Sequence, residues 1–184
     1  MNGWIFIDKP KNITSFKVIQ RLRKILNFNK IGHSGTLDPF ATGILAIAVG
    51  EATKSINYFN PNKVYKFNVV FGELKDTDDI TGKTTDKSNI IPTKKEIDQC
   101  LKNFIGKHSQ VPPQYSAVKV DGIRAYKLAR NNQKFSIKAR DVFIKSLKCV
   151  EIKNNREYCF TLECSSGTYV RSIARDLGKM LGTY

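Results

Sequence analysis

No uninterrupted apolar run in the 184 residues exceeds Ile44 to Val49, far short of the ~20 residues that span a bilayer. The chain therefore carries no expected transmembrane helix. Its start, Met-Asn-Gly-Trp-Ile-Phe-Ile-Asp, lacks a basic region followed by a long apolar stretch, so no signal peptide is expected either. Cysteine is sparse. Cys100, Cys149, Cys159 and Cys164 form no C-x-x-C pair and have no nearby histidine, so neither a zinc site nor a disulfide framework is expected. A soluble cytoplasmic protein with four reduced core thiols fits these absences. Negative charge is also scarce, with 16 Asp and Glu against 31 Lys and Arg, for a net charge of +15. An excess of that size predicts a polyanionic partner, because each phosphate contact releases counterions. The 23 Lys and 8 Arg are scattered without a basic tail, so any binding face is assembled by the fold. A basic protein with no nucleic-acid role is the alternative at this point.

An apolar fraction of 41% with 10% aromatics is enough for a core, and the length fits one domain. Trp4 to Ile7 reads as a short buried strand ended by Asp8-Lys9-Pro10. Thr14 or Ser15 caps a helix with Phe16, Ile19, Leu22, Ile25 and Leu26 at helical spacing. Residues 27–42 lose all periodicity. Gly43 to Val49 returns as an apolar strand, and Glu51 to Phe59 reads as a short helix with Ala52, Ile56 and Phe59 on one side. Val64 to Phe71 alternates, with Tyr65, Phe67, Val69 and Phe71 on one face.

Thr93-x-x-Glu96 forms a capping box ahead of Ile97, Leu101, Phe104 and Ile105. Val111 to Ala117 is irregular, Asp121-Gly122 is a hairpin turn, and a short helix lies near Tyr126–Arg130. Two long strands, about 135–152 and 156–164, turn at Asn154-Asn155. A last helix covers about Tyr169 to Met180. The order predicts an α+β fold, a mixed and largely antiparallel sheet flanked by helices and loops.

The most informative stretch is Gly32-His33-Ser34-Gly35-Thr36-Leu37-Asp38-Pro39-Phe40-Ala41-Thr42-Gly43. Three glycines, a proline and several hydroxyls hold an irregular backbone between a helix and an apolar strand, where loops commonly carry catalytic groups. Asp38, at the rim of the core, could serve as nucleophile or general base. Asp38-Pro39 read in isolation is equally a simple turn. His33-Ser34 is a poor base and nucleophile pair, since adjacent side chains do not easily reach each other and no G-x-S-x-G elbow is present. Asp76 to Gly82 fails as an EF-hand because Ile80 and Thr81 stand where an oxygen ligand and a glycine are needed. It reads as a solvated acidic loop, or one that hydrogen-bonds a substrate or partner loop. Arg171, three residues into the last helix, is placed to pair with a carboxylate.

The twelve residues from Gly32 to Gly43 closely resemble the catalytic motif of the TruB family of tRNA pseudouridine synthases. Asp8-Lys9-Pro10 with Thr14-Ser15, Lys63-Val64-Tyr65, and Ser166 to Arg171 follow in the family's order. Pro112-Pro113-Gln114-Tyr115-Ser116-Ala117 is similar to the start of its RNA-clamping insertion, expected over about 111–140. Ser34 stands where threonine is more usual. The resemblance implies isomerisation of uridine 55 in the T loop of tRNA: the base leaves ribose C1′ through N1, turns, and is rejoined through C5. It implies no cofactor and no metal, tRNA through its T stem-loop as partner, no membrane, and a monomer.

By the same resemblance Asp38 is the catalytic aspartate, acting on C1′ or on a ribose proton. Tyr65 stacks on the flipped uracil, and Arg171 pairs with Asp38. His33 fills the space the base vacates, Tyr169 lines the pocket, and Lys9 joins the RNA-binding set. The family's continuation beyond Tyr184 supplies an arginine-containing segment and often a small RNA-binding domain. The expectation is thus a catalytic domain over 1–184, incomplete at its C-terminus, with a non-catalytic tRNA-binding or folding protein as the competing reading. A phosphotransferase built on Asp76 and Asp78 is the weakest alternative, since no apolar strand precedes it.

Overall fold

A computed structural model describes residues 2–59 and 62–184. The chain divides into two compact units, residues 1–61 and 62–184. All strand pairings among the described residues of both are antiparallel, in agreement with the α+β expectation.

The first unit is a three-stranded sheet in the order β1-β3-β2, built from β1 (Gly3–Lys9), β2 (Ile31–Ser34) and β3 (Gly43–Val49). Leu45, Ile47 and Val49 turn to one face of β3 and pack with Ile13, Val18 and Ile19 of the adjoining loop and helix α1 (Ser15–Leu26). Thr14 caps α1 by accepting from the Lys17 amide. The buried stripe of α1 is Ser15, Val18 and Ile19, with Leu22 half-buried. The expected stripe is rotated by about one residue, which leaves Phe16, Ile25 and Leu26 exposed. Inward-facing Ser15 is the reason, as its hydroxyl bonds the Leu37 backbone. β1 is a strand as expected but not a buried one, since Phe6 is exposed. β2 falls inside the stretch read as aperiodic. The segment after β3, Gly50–Tyr58, is a 3₁₀ helix, and Phe59 at its end packs on the Trp4 ring with centroids 4.4 Å apart.

The second unit centres on a four-stranded sheet in the order β4-β11-β10-β7. Its strands are β4 (Lys63–Val70), β7 (Gly106–Gln110), β10 (Arg140–Ile152) and β11 (Glu157–Cys164). The alternation of β4 is realised: Tyr65, Phe67 and Val69 face the core while Val64, Lys66, Asn68 and Val70 face outward. Helices α2 (Lys94–Leu101) and α4 (Val170–Met180) cover that core face with Ile97, Leu101, Ile173 and Leu177. The Thr93–Glu96 capping box is present in full, which fixes where α2 starts.

Two ribbons complete the unit, β5 (Glu73–Lys75) with β6 (Thr84–Lys87), and β8 (Lys119–Val120) with β9 (Ile123–Arg124). The second turns on Asp121 and Gly122 at φ 49° and 82°, the paired left-handed conformation of a tight hairpin. Helix α3 (Ala125–Arg130) follows it. No helix among the described residues is long and apolar enough to cross a membrane.

Candidate functional site

In the first unit, the residues flanking Asp38 are fixed from a distance in sequence. Ser15 Oγ accepts from the Leu37 amide at 3.0 Å and donates to the Leu37 carbonyl at 3.1 Å. The Pro39 carbonyl accepts from the Asn12 amide at 2.8 Å and from Lys9 Nζ at 3.2 Å. Asp38 itself opens a turn, its carbonyl accepting from the Ala41 amide at 3.1 Å. The turn read from Asp38-Pro39 is present, and its neighbours are pinned on both sides of a half-buried carboxylate.

Lys9 is fully buried. Its ammonium donates to the carbonyls of Pro10, Ile13 and Pro39 at 3.0, 2.9 and 3.2 Å. Burial lowers its pKa, and the nearby Asp38 carboxylate opposes that shift. Lys9, expected in the RNA-binding set, is thus placed against the loop that bears Asp38. All three ammonium protons are committed to carbonyls and no surface remains for a phosphate, so Lys9 acts on the loop's shape and charge. His33 lies on β2, half-exposed, with Nδ1 bonded to the Gly35 carbonyl. Ser34 donates through Oγ to the Phe59 carbonyl at 3.2 Å, a contact that needs only a hydroxyl.

The second unit holds the remaining site residues. Tyr65 sits opposite Leu162 in the β4–β11 register and packs at the margin of the core. Lys63, two residues before it, has its pKa lowered by burial, with Cys164 opposing the shift. Tyr169 is the residue immediately before α4 and is half-buried. Arg171 is almost covered, with 10% of its side chain exposed. It donates to the carbonyls of Thr77 and Tyr115 at 3.0 and 3.2 Å and lies 3.6 Å from Asp79.

One helical turn on, Arg175 pairs with Asp78 at 2.9 Å and with Asp176 at 2.9 Å, and donates to the Val111 carbonyl at 2.8 Å. The loop from Asp76 to Gly82 is therefore not the solvated acidic loop expected. Asp78 and Asp79 are 12% and 10% exposed in their side chains and are drawn onto α4. Burial raises the Asp78 pKa despite the arginines that oppose the rise. Asp76 accepts from the Lys83 amide, and Gly82 sits where any side chain would collide with Thr77 and Asp76. Each carboxylate in the loop is thus already committed to a bond of the protein. Arg175 and Asp176 play no part in the sequence reading, and Asp78 is read there only as part of an acidic loop. The signal was there as two arginines four apart on a helix and two consecutive aspartates.

Comparison with known proteins places the chain in a family. The sequence model of the TruB family pseudouridylate synthase (N terminal domain) matches residues 23–170, most of the chain, including Asp38, Tyr65 and Tyr169.

The chain belongs to the TruB family.

Among curated relatives, tRNA pseudouridine synthase B of Ehrlichia ruminantium (strain Gardel) is 51% identical over 186 residues, covering 100% of this chain and 63% of that protein. The protein of the same name from Brucella anthropi is 45% identical, covering 100% of this chain and 57% of that protein. The chain thus spans about three-fifths of the length of these relatives. Among solved structures, a chain in the crystal structure of a Cbf5-Nop10-Gar1 complex superposes with a TM-score of 0.68 at 30% identity, over 98% of this chain and 44% of that one. An H/ACA RNP bound to a substrate RNA containing 2'-deoxyuridine gives 0.64 at 26% identity, over 98% and 43%. The TruB-family chain therefore shares the α+β pseudouridine synthase fold of these structures.

Proposed function

We propose that this TruB-family chain is the catalytic part of a tRNA pseudouridine synthase acting on uridine 55 of the T loop. The observation that carries the reading is the Asp38 loop: its twelve residues resemble the family's motif, with serine at position 34, and the residues beside the aspartate are held by Ser15, Asn12 and Lys9. Pinning of that kind orders a carboxylate before substrate arrives, which lowers the cost of reaching a productive geometry. Asp38 acts on the ribose at C1′ and Tyr65 stacks on the extruded uracil. Arg171 keeps its neighbourhood electropositive, while His33 and Tyr169 contact the T loop and the base. A base inside a stacked loop costs a few kcal/mol to extrude, and aromatic faces with a basic surface offset that cost. Residues 111–140 form the RNA-clamping insertion. The protein acts as a monomer and in the cytoplasm.

The test is tritium release from a tRNA transcript labelled at uridine C5, using this chain and Asp38→Asn. Release by the parent and none by Asp38→Asn supports the reading, as does loss of release when position 55 is cytidine. T-arm RNA bound by both proteins without release from either would instead support the tRNA-binding reading.

A further inference from the structure

We propose that Gln110 and Arg140 are positioning residues for Tyr169, gripping its backbone and its ring from two adjacent strands. The proposal rests on the reading above, in which Tyr169 contacts the target base. Gln110, the last residue of β7, and Arg140, the first of β10, are register partners, and residues directly opposite in an antiparallel pair project to the same side. Both side chains reach the same tyrosine, 59 residues from one of them along the chain.

Gln110 is fully buried. Its Oε1 accepts from the Tyr169 amide at 2.8 Å, and its Nε2 donates to the Tyr169 carbonyl at 3.2 Å. One carboxamide therefore fixes both polar groups of the residue that precedes α4. Tyr169 is extended, at φ −99° and ψ 116°, and its own side chain makes no capping bond. The Gln110 amide supplies the local constraint that a capping side chain normally gives. A buried polar side chain with both ends satisfied specifies one geometry, since any shift of the tyrosine strands a donor and an acceptor away from water.

Arg140 addresses the ring. Its guanidinium carbon lies 4.7 Å from the Tyr169 ring centroid, within the range of a cation–π contact. Nη2 is anchored to the Gly167 carbonyl at 2.9 Å, and Nε is buried without a partner among the described residues. The plane of the guanidinium is thus set by the ring and by one carbonyl rather than by a saturated set of bonds. With backbone and ring both held, little torsional freedom remains to the side chain that is to meet a base. The arrangement assigns Arg140 a role through Tyr169 rather than through a phosphate.

Two measurements on the full chain test this. In the RNA-free protein with ring-labelled tyrosine, the Tyr169 signals, assigned with Tyr169→Leu, should move in both Arg140→Met and Gln110→Met. Unmoved signals overturn the proposal. In single-turnover tritium release, Arg140→Met should slow the reaction about tenfold while T-arm RNA affinity stays within about twofold, the split expected when positioning and not binding is lost. Arg140→Lys should restore part of the rate, and Arg140→Met in a Tyr169→Leu background should add less than about twofold, since the two act as one unit. Multiplying effects, or a loss confined to affinity with a smaller salt dependence, would mean a direct phosphate contact and overturn the proposal. A parent that neither binds nor isomerises the RNA defeats the functional reading, while the ring signals still decide the grip.

Discussion

Replacing Arg175 by methionine should destabilise the second unit by about 3 kcal/mol near neutral pH. The guanidinium faces Asp78 at 2.9 Å, with both side chains close to nine-tenths covered. At an effective dielectric of about 20 the bare attraction at that distance is about 6 kcal/mol. Desolvation cancels much of it, which is visible in the direction of the Asp78 pKa: raised by burial although Arg175 and Arg171 both pull it down. The pair's net worth is therefore modest, but removing one half leaves a covered carboxylate without its partner.

Titration gives the prediction a second handle. A carboxylate whose folded pKa is raised above its unfolded value binds protons preferentially in the folded state. Its cost is greatest above the folded pKa and fades as pH falls through it. Losing Arg175 raises that pKa further, so the deficit should be larger in mildly alkaline than in acidic buffer, shrinking as pH falls through the folded pKa. The double variant Asp78→Asn with Arg175→Met should recover part of the loss, because the most covered of the stranded charges is gone while Asp176 and the Val111 carbonyl still lack Arg175. Urea unfolding followed by far-ultraviolet circular dichroism in both buffers reads all of this. An Arg175→Met deficit below about 0.5 kcal/mol near neutral pH, the range of an ordinary surface change, would refute the reasoning. So would a deficit that does not narrow in acid.

Phe104 is fully buried and stacks on His108 with centroids 5.0 Å apart. Phe104→Ala should cost about 4 kcal/mol in the same unfolding assay, and a loss under about 1 kcal/mol would mean the site collapses around the gap. Ser15→Ala removes both bonds to Leu37 and should cost about 1–2 kcal/mol. Tritium release should then fall more than T-arm RNA affinity, whereas equal falls would count against loop-setting. Glu51, hydrogen-bonded to Lys30 and Lys54, has its pKa lowered to about 2. Its contribution is complete above the ordinary carboxylate range and is lost as pH falls toward about 2. A carboxyl NMR titration should show this at low salt, with the value rising when salt screens the exposed pairs; a salt-independent value would contradict the assignment.

The parts of the fold legible in the sequence are those whose reasons are local. The alternation of β4, the Thr93–Glu96 box and the Asp121-Gly122 turn each declare themselves within a few residues. β2 and β7 do not: Ile31-Gly32-His33-Ser34 and Gly106-Lys107-His108-Ser109-Gln110 carry little apolar pattern, and pairing with β3 and β10 makes them strands. The same division runs through the site. The motif around Asp38 was readable as a resemblance, but what holds it lies about 20–30 residues upstream, in Lys9, Asn12 and Ser15, beyond the reach of periodicity arguments. The stripe of α1 was misplaced for a related reason. Hydrophobic spacing favoured Phe16 and Ile25 on the inner face, and a serine needed for hydrogen bonding took the position instead.

Lys9 carries a consequence for chemistry done on the protein from outside. Its amine has no solvent-facing surface, and its donors are occupied by Pro10, Ile13 and Pro39, whereas Lys54, Lys87 and Lys107 stand well exposed. Acylating reagents will decorate the latter quickly and reach Lys9 only when the first unit opens. The rate at which that one amine is modified therefore measures how often the loop bearing Asp38 comes undone.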